Sequence, residues 1–165
     1  MEKYAHISPC GKYRYLLSRE WETLFDNEIG TALFIGLNPS TADAENDDPT
    51  LRRCISFTES LKCNKLCMLN LFAFRATDPQ DMKAAPDPVG SHTNLVLSAM
   101  APKAKFIIVC WGNHGSFKDR DKEVLELLKD YDIHALKINQ DGTPAHPLYL
   151  KKDSKLQIFK KRIEK

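Results

Sequence analysis

The sequence predicts an α/β three-layer sandwich built on a parallel sheet. Short apolar runs of buried-strand type alternate with segments of helical periodicity, and the connections between the runs are too long for hairpins. Two Asp-Pro pairs, Asp48-Pro49 and Asp87-Pro88, add the N-cap and first-turn proline that open helices.

Residues 13–17 (YRYLL) form a short aromatic and apolar run, and residues 31–37 (TALFIGL) form the first run of fully buried type. Asp48-Pro49 then predicts a helix through about Lys62, in which Leu51, Ile55 and Leu61, with Cys54 and Phe57, recur near the helical period. The run 65–74 (KLCMLNLFAF) reads as a buried strand that Arg75 to Pro79 breaks into a loop and a short helix. Asp87-Pro88 predicts a helix to about Met100, followed by a buried strand at 105–111 (KFIIVCW) and a turn at 112–115. A charged amphipathic helix at 118–129 and a strand at 133–138 complete the pattern. No repeat or linker divides the chain, which is expected to be one domain with its core at about 12–150. The lysine-rich tail, 151–165, reads as a solvated helix face.

Hydrophobic residues make up 42% and charged residues 28% of the 165, values of a folded globular chain. The net charge of +2, from 24 basic and 22 acidic side chains, creates no global field for nucleic acid. No apolar run approaches the roughly 18 residues that span a bilayer, and the N-terminus lacks an apolar signal core. A cytoplasmic protein without a membrane partner is the expectation. Five cysteines, an odd number placed largely in apolar stretches, fit a reducing compartment. Cys63 and Cys67 have no second closely spaced pair to complete a zinc site, so neither a metal nor another cofactor is expected.

In open parallel sheets ligands bind beyond the carboxyl ends of the strands, and those positions are unusually polar here. The first strand leads into Gly36, Asn38, Pro39 and Ser40, and the second carries Asn70 and then Arg75. The third leads into Trp111, Gly112 and His114, and the last precedes His146, Pro147 and Leu148. Asn38 is either a turn asparagine bonded to its own backbone or an amide held rigidly at the cleft by Pro39. Asn70 lies in so apolar a strand that it must be buried, where it bonds either to backbone or to a ligand edge. His146 is set in an extended direction by Pro147 and is suited to donating a hydrogen bond or shuttling a proton, a role for which His114 competes.

Asp43, Glu45, Asp47 and Asp48 present oxygen ligands in one short segment, but in no calcium-loop spacing, and Asp48 also serves as a helix cap. Arg52 and Arg53 either bind phosphate beside that helix N-terminus or neutralise the acids.

The segments GLNPSTADAENDDPTLRRC, LNLFAFRATDP, APDPVG, WGNHG and HPLYL, in this order over most of the chain, closely resemble the 1643 family of domains of unknown function. More distantly, a strand ending in GLNPS, a strand carrying LN, a strand ending in WG and a late HP turn resemble the uracil-DNA glycosylase superfamily. That resemblance implies a mainly parallel four-stranded central sheet. It also implies that Asn38 positions the attacking water, that Asn70 reads the base edge and that His146 stabilises the departing base anion. Leu148 departs from the serine of the superfamily's His-Pro-Ser motif, which grips a DNA phosphate.

The resulting expectation is an N-glycosidic-bond hydrolase acting on a nucleobase, nucleoside or nucleic acid, with Leu148 or Tyr149 as a wedge if the substrate is DNA. A non-catalytic nucleotide or modified-base module on the same scaffold is one rival. A metal-dependent phosphohydrolase using Asp43, Glu45, Asp47 or Asp48 is the other.

Overall fold

A computed structural model describes residues 1–164. Seven strands are present: β1 (Glu2–Ile7), β2 (Arg14–Glu20), β3 (Thr31–Gly36), β4 (Lys65–Asn70), β5 (Phe106–Val109), β6 (Ile133–Ala135) and β7 (Gln157–Lys160). They form one sheet in the order β1-β2-β4-β3-β5-β6-β7. The helices are α1 (Pro49–Ser60), α2 (Pro79–Ala84), α3 (Thr93–Met100) and α4 (Arg120–Leu127).

The expected four-stranded sheet is corrected to a mixed, seven-stranded one. The inner strands β4, β3, β5 and β6 run parallel, while β1, β2 and β7 add antiparallel edges. The sheet therefore extends beyond 12–150 at both ends, and the lysine-rich tail contributes an edge strand rather than a helix face. Neither end strand has a buried side chain to advertise it; β1 and β7 exist through pairing with β2 and β6, which no local periodicity encodes.

Both faces of the sheet are covered. Ala32 and Phe34 of β3, Leu66 and Met68 of β4 and Ile108 of β5 pack with Leu51, Cys54 and Phe57 of α1. The alternate residues Leu33, Ile35, Leu69, Ile107 and Val109 pack with Met82, Leu97, Val124 and Leu128 on the opposite face. Strand alternation thus yields two cores from one set of apolar runs.

Local chemistry sets most boundaries. Asp48 accepts the Leu51 N–H at 2.8 Å, Pro49 begins α1, and Lys62, at φ 60°, ends its turn. Asp87 instead accepts the Gly90 N–H at 3.2 Å, and Gly90 has φ +86°, so the predicted continuous helix from Pro88 is replaced by a turn and α3 starts at Thr93. Likewise, positive φ values at Lys118 and Asp119 delay the expected 118–129 helix until Arg120.

Two buried arginines brace this frame. Arg120 donates to the Leu71 carbonyl, Asn94 Oδ1 and Glu123 at 2.7–2.8 Å, tying α4 to α3 and to the chain leaving β4. Arg19 on β2 is 0% exposed, pairs with Asp47 at 2.9 Å and donates to the Asp43 and Ser18 carbonyls. The acidic loop is therefore latched onto the sheet by a cation from β2, not by Arg52 or Arg53. Replacing Arg19 with Met leaves Asp47 and the Asp43 carbonyl unpartnered and is expected to cost about 3 kcal/mol in urea unfolding, as for a broken buried pair. A loss of well under about 1 kcal/mol would show that the contact behaves as a surface ion pair.

Candidate functional site

The carboxyl ends of the parallel strands open into a cavity of about 560 Å³ on the α1 side of the sheet. Its floor comes from β3 and β4, whose register places Gly36 opposite Asn70. Asn70 follows Leu66 and Met68 on the same strand face, so two-residue alternation turns it toward the cavity. A Cβ on Gly36 would stand 2.9 Å from Asn70 Oδ1, so glycine is what makes room for the amide. Asn70 is only 6% exposed, and its Nδ2 is buried without a protein partner. A buried amide donor left open in this way needs an acceptor that the protein itself does not supply.

Asn38 stands beside it in the turn after β3. Its Nδ2 donates to the Ala76 carbonyl at 2.8 Å and to the Pro39 carbonyl at 3.2 Å, joining this turn to the loop after β4. The contact with Pro39 is local to the turn, and the contact with Ala76 adds a cross-loop strut. With Nδ2 committed to carbonyls, Oδ1 is the amide's remaining acceptor.

His146 rises from the opposite wall, where its Nδ1 accepts the Leu148 N–H at 3.2 Å and caps the short turn Pro147–Tyr149. The neutral ring therefore carries its proton on Nε2. Although His146 is exposed at the rim, desolvation by the surrounding protein lowers its pKa below the ordinary value, a shift that the negative charge of Asp48 opposes. At neutral pH the ring is an uncharged hydrogen-bond donor.

The cavity brings together Gly36, Asn38, Pro39, Ser40 and Asn70 with Gly112, His114, His146, Pro147 and Leu148. Trp111 borders it, yet its side chain packs in the opposite core, edge-on to Phe159. His114 bonds through Nδ1 to Lys83 Nζ at 3.0 Å, which directs it toward α2. Arg75 lies outside, in an adjoining open groove that shares Ser40 and Thr77, and donates to the Gly11 carbonyl. Arg52 and Arg53 do not line the cavity either: Arg52 reaches the Asp47 carbonyl, and Arg53 stacks over Phe57.

The acidic stretch has its own protein partners. Asp43 accepts the Glu45 and Asn46 amides at 2.8 Å, Asp47 pairs with Arg19, and Asp48 caps α1 while lining the cavity. No group of three His, Cys, Asp or Glu side chains converges as a metal site among the described residues. Cys110, also on the cavity wall, is buried and its thiol is pushed up to about 12 by desolvation, so it is a packed, protonated group rather than a nucleophile.

One residue was missed from the sequence. Arg14 is 5% exposed and lines the cavity, with Nη1 donating to the Ala42 carbonyl at 3.0 Å and Nε unpartnered. The β1–β2 pairing passes from His6 opposite Leu16 to Ile7 opposite Arg14, leaving Tyr15 as a bulged extra residue. Leu16 packs in the opposite core and Leu17 in the α1-side core; the bulge flips the alternation and turns Arg14 to the same side as Leu17. Because β2 is antiparallel to β4, its first residue, not its last, meets the cavity. An arginine at the start of an apolar run was the available signal.

Residues 14–148 match the family described as protein of unknown function (DUF1643). The chain belongs to this family. No curated protein and no solved structure matches it. The DUF1643 match runs from Arg14 to Leu148, both of which line the cavity, and leaves the edge strands β1 and β7 outside.

In this DUF1643 protein the His146 ring should titrate by NMR with a midpoint below 6.5. Asp48→Asn keeps a competent helix cap but removes the opposing charge, so it should move that midpoint lower still. A midpoint above 6.5 in the unsubstituted protein would contradict the desolvated setting.

Proposed function

We propose that the cavity binds a nucleobase-bearing substrate and that Asn38, Asn70 and His146 hydrolyse its N-glycosidic bond. The observation that carries this reading is the meeting, in one cavity, of a buried open amide, a strutted amide oxygen and a neutral imidazole. The resemblance of the GLNPS, LN, WG and HP segments to the uracil-DNA glycosylase superfamily supports the same assignment.

Each group suits a different part of the reaction. Breaking the bond leaves its electron pair on the base and an oxocarbenium-like sugar, which needs a weak nucleophile well placed rather than a strong one. Asn38 Oδ1 orients a water toward the anomeric carbon, because its Nδ2 contacts fix the amide plane. Water oxygen bonds to that carbon as the carbon–nitrogen bond breaks, and the proton that water loses balances the one the base anion finally takes up. His146 Nε2–H stabilises the developing base anion without adding a charge. Asn70 holds the base edge through its open donor.

The cavity lies in the usual volume range of small-molecule sites. Its rim carries Leu148 in place of a phosphate-gripping serine, Asp48 lines it, and Asp43 lies near enough to act on Arg14. These features favour a nucleoside or an unpaired base over duplex DNA.

Release of free base from nucleosides, nucleotides and single- and double-stranded oligonucleotides containing uracil, hypoxanthine or modified bases tests the proposal. His146→Ala should leave Tm nearly unchanged while lowering release at least about 100-fold. Asn38→Ala should do the same at an added stability cost of about 1 kcal/mol, because it removes the strut to Ala76. Asn70→Ala should chiefly weaken or broaden base selection. Tight binding of a base without release from any substrate would favour the recognition module, and neither binding nor release would remove nucleobase chemistry altogether.

A further inference from the structure

We infer that Arg14 is an anion receptor within this cavity, paired with Asn70 to hold an oxygen of the ligand that carries or develops negative charge. The inference deepens the nucleobase reading, on which it rests for the identity of the ligand. It specifies an oxo-base, whose carbonyl oxygen gains charge as the adjacent ring nitrogen loses its proton or its sugar.

Four observations carry it. First, Arg14 and Asn70 are each more than nine-tenths buried, and each has a donor, Nε and Nδ2, with no protein acceptor. Buried polar donors are rarely left open in this way, and here the two residues that carry them line the same cavity. Second, topology makes them neighbours in the sheet: β2 lies next to β4, and both residues stand at the edge where β3 and β4 end. Third, the charge on Arg14 is not neutralised at contact distance, since no carboxylate pairs with it within 4.0 Å among the described residues. Asp48 and Asp43 act on it from farther away, while Arg75 and Arg19 add positive field. Fourth, the chain inserts a bulge at Tyr15, and that bulge is what turns this guanidinium toward the cavity rather than into the opposite core.

Burial lowers the pKa of Arg14 to about 10, so it remains a cation at neutral pH, in a setting that penalises its charge. An anionic oxygen offsets that penalty, and a neutral acceptor does so less. Guanidinium supplies donors only, so a carbonyl or oxyanion is accepted at this point and an exocyclic amino group is not. Asn70, by contrast, has both an amide donor and an amide acceptor. Together the two side chains favour a base with such a carbonyl oxygen over adenine, which has none.

The test is calorimetric binding of uracil, 5-fluorouracil and benzoate to the full chain at neutral pH. Fluorine acidifies the ring N–H of uracil without changing its shape greatly, and benzoate offers a planar carboxylate with no ring nitrogen. The unsubstituted protein should bind 5-fluorouracil more tightly than uracil, and Arg14→Gln should remove that preference and weaken 5-fluorouracil binding about tenfold or more. Arg14→Lys, which keeps the charge but loses the planar fork, should retain part of the preference. Asn70→Asp leaves Arg14 in place but sets a carboxylate beside it, so it should also abolish the preference, with a retained or raised Tm. This variant guards against an Arg14 substitution that fails to fold.

If the bases bind but Arg14→Gln and Asn70→Asp preserve the ranking, the receptor is overturned and the nucleobase reading stands. If benzoate binds in an Arg14-dependent manner and neither base does, the receptor stands and the nucleobase reading falls. If none of the three binds, both fall.

Discussion

The register of two parallel strands governs the site. With Gly36 opposite Asn70, any side chain at position 36 would strike the Asn70 amide, since even a Cβ would approach its Oδ1 to 2.9 Å. The amide therefore stands over bare backbone at the sheet edge, where the chain turns away on both sides into Asn38 and Leu71. Leu71 and Phe72 continue to donate to the Gly36 and Leu37 carbonyls, so the two turns remain joined beyond the last strand residues. The Asn38 amide and the Ala76-to-Pro39 backbone bond extend that join outward. A cavity wall built this way is rigid without needing its own secondary structure.

Around this floor the fold sets charges by burial and by pairing. Arg19 bonds to Asp47 and two backbone carbonyls, and Arg120 to Glu123, Asn94 and one backbone carbonyl, and both act as struts. Arg14, equally buried, has one carbonyl and no such carboxylate. The difference separates cations neutralised within the fold from one left without a contacting carboxylate on the cavity wall. Asp48 links the two systems, because the carboxylate that starts α1 also sets the potential felt by Arg14 and His146.

Features encoded in neighbouring residues were legible in the sequence. Asp48-Pro49 announced α1, the apolar runs announced β3, β4, β5 and β6, and the residues at or beyond their carboxyl ends included Asn38, Asn70 and His146, all of which line one cavity. Features that depend on distant pairing were not. The strands Glu2–Ile7 and Gln157–Lys160 carry no buried face, and they become strands only beside β2 and β6. Asp87-Pro88 resembled Asp48-Pro49, but Gly90 packs against Tyr13 and Tyr15 in a left-handed conformation that ends any helix begun there. Arg14 escaped because a search beyond strand carboxyl ends presumes parallel strands, and β2 enters the edge from the other direction. Arg52, Arg53 and Arg75 are the basic residues beside the motifs, whereas the cation at the cavity is Arg14, which burial and a bulge conceal.

Recognition at this cavity is assigned to the open donors of Asn70 and Arg14, which the ligand meets. NMR of the side-chain N–H signals during titration with uracil tests this most directly. Saturable shifts of both the Asn70 amide and the Arg14 Nε–H signals, with one common affinity, are the predicted result. Saturable binding that leaves both signals unmoved while others shift would place the ligand elsewhere and contradict the account.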